Sequence, residues 1–255
     1  MLKQLRKILG AGRDAPPAGA RFLYLHVPKT AGSAVKSAVG RSAGAALFVT
    51  KPHATGFADL SRAERALETF ITIREPVSWY LSLYNFKMHS ESDKGYADME
   101  RNRLEDFVDD VVYGRNGVEG FMRWNRPAER KPHVRRMVEA YLERDAQARM
   151  GFATLNLLFY GCADWTSVLA APEPHALLSA NDAAMISVRH VLRQETLGAD
   201  FARMTGGAVS DIDLATRVNA MDSNPYAALI DPAAVAHIKQ ADRFIFSRYY
   251  PSHAN

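Results

Sequence analysis

The sequence predicts an α/β fold, a three-layer arrangement in which a parallel sheet carries helices on both faces. Three observations predict it. Short apolar or β-branched runs alternate with helical segments three times between residues 22 and 84, and that alternation implies right-handed crossovers between parallel strands. The 255 residues suffice for a single α/β domain with insertions. The composition, 47% hydrophobic and 24% charged, is ordinary globular usage, which excludes a disordered or collagen-like chain and a disulfide scaffold.

Each element has its own signal. Residues 1–20 read as an N-terminal arm and linker. Leu2, Leu5, Ile8 and Leu9 fall at helical spacing among basic residues, without the continuous apolar centre of a secretory signal, and Gly10 to Ala20 is a Gly/Pro/Ala stretch. A single domain is expected over residues 21–255, with insertions at roughly 86–180. Phe22 to Val27 (FLYLHV) reads as a buried strand broken by Pro28 to Gly32, and Ser33 to Val39 as a short helix stopped by Gly40. Ala45 to Val49 is the second strand, followed by the loop TKPHATGF. Ser61 and Glu64 form a capping box for a helix reaching about Glu68. Thr69 to Ile73 (TFITI) is a β-branched third strand. Arg74-Glu75-Pro76 turns the chain into a helix with Val77, Tyr80, Leu81 and Tyr84 on one face. Further on, helices are expected near 103–113 and 133–148 and a late strand at Ile186 to Leu192. Asp231-Pro232 starts a C-terminal helix carrying Val235, Ile238 and Ile245.

Charge and cysteine usage narrow the function classes. Thirty-two basic against 28 acidic residues leave a net charge of +4. That mild excess suits an anionic ligand but lacks the dense basic stripe of a nucleic-acid binder, so no nucleic-acid partner is expected. No apolar run approaches the roughly 18–20 residues of a membrane span, so no integral membrane segment is expected. The lone Cys162 cannot pair within the chain. No Cys/His cluster predicts a metal site, and a reducing, cytoplasmic compartment fits best.

In parallel sheets of this kind, ligands bind at the carboxyl ends of the strands. The loops at 28–33, 50–56 and 74–76 each begin where a predicted strand ends, so they should converge on one crevice. Pro28-Lys29-Thr30-Ala31-Gly32-Ser33 joins a strand to a helix start. Backbone N–H groups, small residues and a lysine together make a phosphate cradle. It is not the GxxxxGK[ST] loop, because the lysine precedes the glycine. Arg74 follows the third strand, and Ser82 lies eight residues on, about 140° from the apolar stripe of its helix. A guanidinium plus a hydroxyl is a good receptor for a second phosphate.

HVPKTAGSAV at 26–35 resembles the 5′-phosphosulfate-binding loop of the sulfotransferases. REPVSWYLSLY at 74–84 is similar to their 3′-phosphate motif, R[DE]P-x5-S-x-[YF]. The nearest group is the carbohydrate (membrane-type) sulfotransferases and their bacterial relatives. VLRQETLGADF at 191–201 and the tail from Asn219 through Tyr226 to Phe246 resemble the family more weakly. The resemblance implies a P-loop-like sulfotransferase fold and 3′-phosphoadenosine 5′-phosphosulfate as sulfuryl donor, without a metal. By position it assigns Lys29, Thr30, Ala31, Gly32 and Ser33 to the 5′-phosphosulfate, and Arg74 and Ser82 to the 3′-phosphate.

Sulfuryl transfer is an in-line displacement that needs charge stabilisation on the leaving phosphate and a base for the acceptor proton. Lys29 is the natural stabiliser. His53, after the second strand, is the favoured base, because neutral imidazole is poised near pH 7. His26 reads as structural, and Glu75 is the alternative base. The acceptor, a glycan or small molecule, is expected to meet the insertions. Lys87, Arg123, Arg126, Arg130, Lys131 and Arg135 could receive an acidic glycan, and Trp124 or Trp79 could stack on a sugar. The Asn-x-Gln-x-Arg stretch of relatives is not reproduced in FMRWNRPAERK. Two other classes fit the same loops: a P-loop-type kinase, and a catalytically silent nucleotide- or partner-binding protein.

Overall fold

The computed structural model describes residues 15–89, 104–124, 135, 138, 139, 149–207 and 230–253. The amphipathic arm at 1–9, most of the helix expected over 133–148, the tail from Asn219 to Tyr226, and Arg126, Arg130 and Lys131 lie outside the described residues.

Four strands form the sheet: β1 (Phe22–Leu25), β2 (Phe48–Lys51), β3 (Glu68–Ile73) and β4 (His190–Arg193). Their order is β2-β1-β3-β4 and every pairing is parallel. Leu25 stands level with Lys51 on one side and Ile71 on the other. The chain therefore leaves β1, β2 and β3 along one edge.

Strand alternation sends neighbouring side chains to opposite faces, and both faces are covered. Leu23, Leu25, Ile71 and Ile73 join a core with Trp79, Tyr80, Leu83 and Tyr84 of α3 (Pro76–His89) and with α6 (Phe152–Gly161). Phe22, Tyr24, Phe70 and Leu192 pack on the other face with Val35 and Val39 of α1 (Gly32–Arg41) and with Leu197, Phe201 and Met204 of α9 (Leu197–Thr205). Burial on both faces is why β1 and β3 read as unbroken apolar runs. Full enclosure of Phe22, Leu23 and Leu25 contributes roughly 1.5–3 kcal/mol each.

The remaining helices complete the layers. They are α2 (Arg62–Arg65), α4 (Leu104–Phe107, continued by a π turn at Val108–Val112), α5 (Gly117–Trp124), α7 (Trp165–Ala170), α8 (Pro174–Met185), α10 (Pro232–Ala241) and α11 (Arg243–Tyr249). Every residue of α6 is buried, the mark of a helix enclosed on all sides. Its first turn is capped from afar: Thr154 donates from its backbone N–H and its hydroxyl to Asp242 Oδ1, both at 2.7 Å.

Several boundaries differ from the expected ones. Ala45–Leu47 forms a 3₁₀ turn, and the second strand starts three residues later at Phe48. Alanine and leucine lack the β-branching that favours a strand. The first helix runs through Gly40 to Arg41, where Ser42 takes extended backbone. The capping box of Ser61 and Glu64 forms as expected, but its helix lasts four residues and Glu68 already belongs to β3. The late strand starts at His190, not Ile186. Finally, α3 does not bury a single stripe: Trp79, Tyr80, Leu81, Leu83, Tyr84, Asn85 and Lys87 are all buried.

Candidate functional site

The loop after β1 is strained and tightly held. Lys29 and Ala31 have φ of 65° and 68°, a left-handed conformation that costs a non-glycine residue of order 1–3 kcal/mol and persists only where its surroundings over-determine it. Here they do. The Thr30 hydroxyl donates to the Val27 carbonyl at 2.9 Å, so it accepts from Thr72 at 2.8 Å, and Thr72 in turn accepts from Tyr24 at 2.8 Å. Burial pushes the Tyr24 phenol well above its ordinary range, so it stays a donor. Trp79 Nε1 donates to the Pro28 carbonyl at 2.9 Å. Elements β1, β3 and α3 thus hold one loop of six residues. The Thr30 side chain is committed to this hydroxyl chain, which leaves its backbone N–H as the group it can offer a ligand.

Ala31 is the N-cap of α1, whose opening turn starts with Gly32 and the exposed Ser33. Gly32 cannot be replaced freely, because a Cβ there would lie 1.8 Å from Cδ2 and 1.9 Å from Nε2 of His26. The His26 ring is wedged under the helix start. Burial first, then the charges of His53 and Lys36, push its pKa down to about 3, so it is a neutral spacer at any working pH.

His53 meets this spacer directly. The two imidazole centroids lie 3.9 Å apart at 40°, and His53 Nδ1 is 2.8 Å from the His26 carbonyl oxygen. A carbonyl only accepts, so Nδ1 carries the proton and Nε2 is the basic nitrogen of the neutral ring. The Tyr160 hydroxyl donates to the His53 carbonyl at 2.6 Å, which fixes the backbone that carries the imidazole.

Lys29 faces a crowd of cations. Burial, then Arg74 and Lys87, push its pKa down to about 8. Its ammonium lies 3.9 Å from the ring centroid of Phe86, and the Lys87 ammonium lies 5.7 Å from that same centroid. Three basic side chains, from the loop after β1, the turn after β3 and α3, therefore collect at one strand edge, an arrangement that favours an anion. Ser82 is half-buried in α3, eight residues beyond Arg74.

The Glu75 carboxylate is engaged in turning the chain. It accepts from the Ser78 N–H at 2.7 Å, capping α3, whose first residue is Pro76. The Glu75 N–H donates to Glu195 at 3.0 Å, and the Tyr250 hydroxyl donates to the other Glu195 oxygen at 2.8 Å. Trp124 and Trp79 are both buried, and Trp124 Nε1 donates to Asp110 at 2.8 Å, so neither offers a face for stacking. Arg135 is exposed and paired with Glu139 at 2.7 Å.

A recess of about 600 Å³ flanks β4, lined by Arg189, Arg193, Asp200, Arg203 and Arg248 among others. It reaches the strand edge at Arg193. Arg193 and Arg203 share the Asp200 carboxylate at 3.8 and 3.2 Å, so much of its positive charge is already answered.

His26 reads as structural in the sequence and is a buried, neutral spacer in the fold, whereas the sequence has no signal for Phe86. The clue to His26 was its place at the end of a strand, beside a glycine six residues on. No helix of the described residues is long and apolar enough to cross a membrane. No family model, no curated protein and no solved structure matches the chain.

Proposed function

We propose that the protein is a sulfotransferase that moves the sulfuryl group of 3′-phosphoadenosine 5′-phosphosulfate to a hydroxyl of a carbohydrate or other metabolite. One observation carries this reading: Lys29, Arg74 and His53 come from the ends of three adjacent parallel strands and gather beside one strained loop. A phosphosulfate fits that cradle by charge and by the small residues Ala31, Gly32 and Ser33 at the start of α1. The motif resemblance at 26–35 and 74–84 supplies the chemical identity, and with it the sulfotransferase version of this α/β fold.

The donor supplies an activated sulfuryl group, and the chain's own residues do the rest. Backbone N–H groups of residues 30–33 and the Lys29 ammonium would hold the 5′ end and offset the charge that grows on the leaving phosphate. Arg74 and Ser82 would hold the 3′-phosphate. His53 Nε2 would take the proton of the acceptor hydroxyl, with the Nδ1–H bond to the His26 carbonyl keeping the ring in the required tautomer and orientation.

The test has two arms. Calorimetry should show that 3′-phosphoadenosine 5′-phosphate binds far better than 5′-AMP. Mass spectrometry should then detect sulfated products after the protein and donor are incubated with a cell extract. Preferential binding of ATP, with phosphorylated products, would replace this reading with the kinase one. Nucleotide binding without any product across a broad acceptor panel would favour the silent binding protein.

A further inference from the structure

Phe86 is an anomaly of α3. Every other apolar side chain in the stretch from Trp79 to Tyr84 is buried, whereas Phe86 is 43% exposed and is the exposed large hydrophobic residue among those described. Exposure of an aromatic ring at that position buries little and gains little from packing. What the ring does touch is charge: the Lys29 ammonium sits 3.9 Å from its centroid, well inside the roughly 6 Å range of a cation–π contact. Lys87, one residue on, is buried yet brings its own ammonium to 5.7 Å from the centroid.

That geometry poses a physical problem. Lys29 is fixed in a left-handed backbone conformation and faces Arg74 from the end of β3 and Lys87 from α3. Like charges at such range push a flexible four-carbon stem outward, away from the loop. A π face turned toward the ammonium supplies an opposing attraction.

We propose that Phe86 is a positioning residue of the anion site, its ring holding the Lys29 ammonium over the loop mouth in readiness for an incoming phosphate or sulfate. The assignment concerns how the site of the sulfotransferase reading is kept in shape, and it rests on that reading only for the identity of the anion. The anion then takes over the ammonium, with no covalent change, and the ring remains as a wall of the site. A π face also favours the charged form of the lysine, so it counters the burial and the cations that lower the pKa of that group to about 8.

The experiment uses the full chain, inorganic pyrophosphate as probe, and two substitutions. Phe86→Leu keeps an apolar side chain and removes the π face; Phe86→Trp keeps a face. Lys29 titration is read by competitive acetylation with mass spectrometry across pH 6–10, and pyrophosphate affinity by calorimetry at pH 7.5. Phe86→Leu should lower the Lys29 midpoint by about half a unit or more and weaken pyrophosphate about three- to tenfold, the span of a moderately exposed cation–π contact. Phe86→Trp should restore both. An unchanged midpoint and affinity in Phe86→Leu overturn the proposal, and so does a tryptophan variant that behaves like the leucine one. Because the probe is neither a nucleotide nor a sulfuryl donor, these outcomes are independent of turnover. A protein that shows the Lys29 and pyrophosphate effects but neither binds nor uses the donor would keep the clamp and lose the sulfotransferase reading.

Discussion

Among the described residues two groups are pushed toward neutral pH by burial, and they sit in regions of opposite character. Lys29 lies at the carboxyl edge of the sheet, with its pKa pushed down to about 8. Asp242 lies in the helical layer, with its pKa pushed up to about 7. Thr154 donates twice to one Asp242 oxygen, and the other oxygen is buried without a hydrogen bond, close enough to Gly151 that a Cβ there would come within 2.0 Å. Lys29, by contrast, is half-buried on a strained loop, under an exposed ring and beside two further cations. A displaced pKa alone does not mark a site. What separates the two is their surroundings: Asp242 is fully enclosed in the helical layer, whereas Lys29 stands half-buried at the strand edge beside other cations. Variants at the strand edge should therefore change binding and turnover at constant stability, and variants around Asp242 should do the reverse.

The largest effect is expected at His53. His53→Ala should leave donor affinity nearly intact and lower turnover about 10²–10⁴-fold, the usual span for a positioned base. The acid limb of the pH–rate profile should vanish in the variant. An alkaline limb near pH 8, where Lys29 loses its proton, should survive it. A variant that retains more than about a third of wild-type turnover removes His53 from the mechanism.

How much of this was legible beforehand differs element by element. β1 and β3 announce themselves through FLYL and the β-branched TFITI, because both faces of each strand are buried. The three loops were correctly expected to leave from one edge, since parallel topology dictates it. β2 was misplaced because Ala45–Leu47 is apolar but turns, and all four residues of the true strand are only half-buried. For another reason, Phe86 carried no signal as a site residue, and Lys87 was expected only among the basic residues that could receive an acidic glycan, not beside Lys29. A helix apolar on nearly every side has no periodicity to say which aromatic is left outside and which lysine is drawn in. The contact of His26 and His53 joins positions 27 residues apart, and only the sheet order creates it.

Arg74 offers the next largest effect on the strand-edge side. Arg74→Ala should erase most of the preference for 3′-phosphoadenosine 5′-phosphate over 5′-AMP, a loss of roughly 1.5–3 kcal/mol for a hydrogen bond to a charged group. The melting temperature should stay within a few degrees. If calorimetry finds the two nucleotides equally bound already in the wild type, the 3′-phosphate assignment of Arg74 and Ser82 is wrong.

On the other side, Asp242 should register in stability alone. Its folded pKa of about 7 lies above the ordinary 3.8, so the native state binds the proton more tightly than the unfolded chain. The resulting stabilisation is complete below about pH 3.8 and is lost as pH rises through about 7. Urea unfolding should show wild-type stability falling by about 2 kcal/mol between pH 5 and pH 8 relative to Asp242→Asn. Asparagine keeps an oxygen for Thr154 and carries no charge to desolvate. Parallel pH dependences in the two proteins would show that Asp242 is ionised throughout.

Glu75 stands on the boundary between the two regions and is expected to have the smallest effect. It follows Arg74 directly, yet its carboxylate caps α3 through the Ser78 N–H, and its charge is felt by both Asp242 and Tyr250. Glu75→Gln keeps an acceptor oxygen for Ser78 but removes the charge that favours a helix N-terminus. The cost should be about 1 kcal/mol or less, within the range of a weakened cap. Turnover should stay within about threefold of wild type, because the base is assigned to His53 and base catalysis is worth at least about 10². Pairing this variant with His53→Ala makes the result decisive. If Glu75→Gln costs 10²-fold or more in turnover while His53→Ala costs little, the base is Glu75. The cap would then be a resting state that opens when substrate arrives, and the boundary between the helical layer and the strand-edge site would run one residue further along the chain.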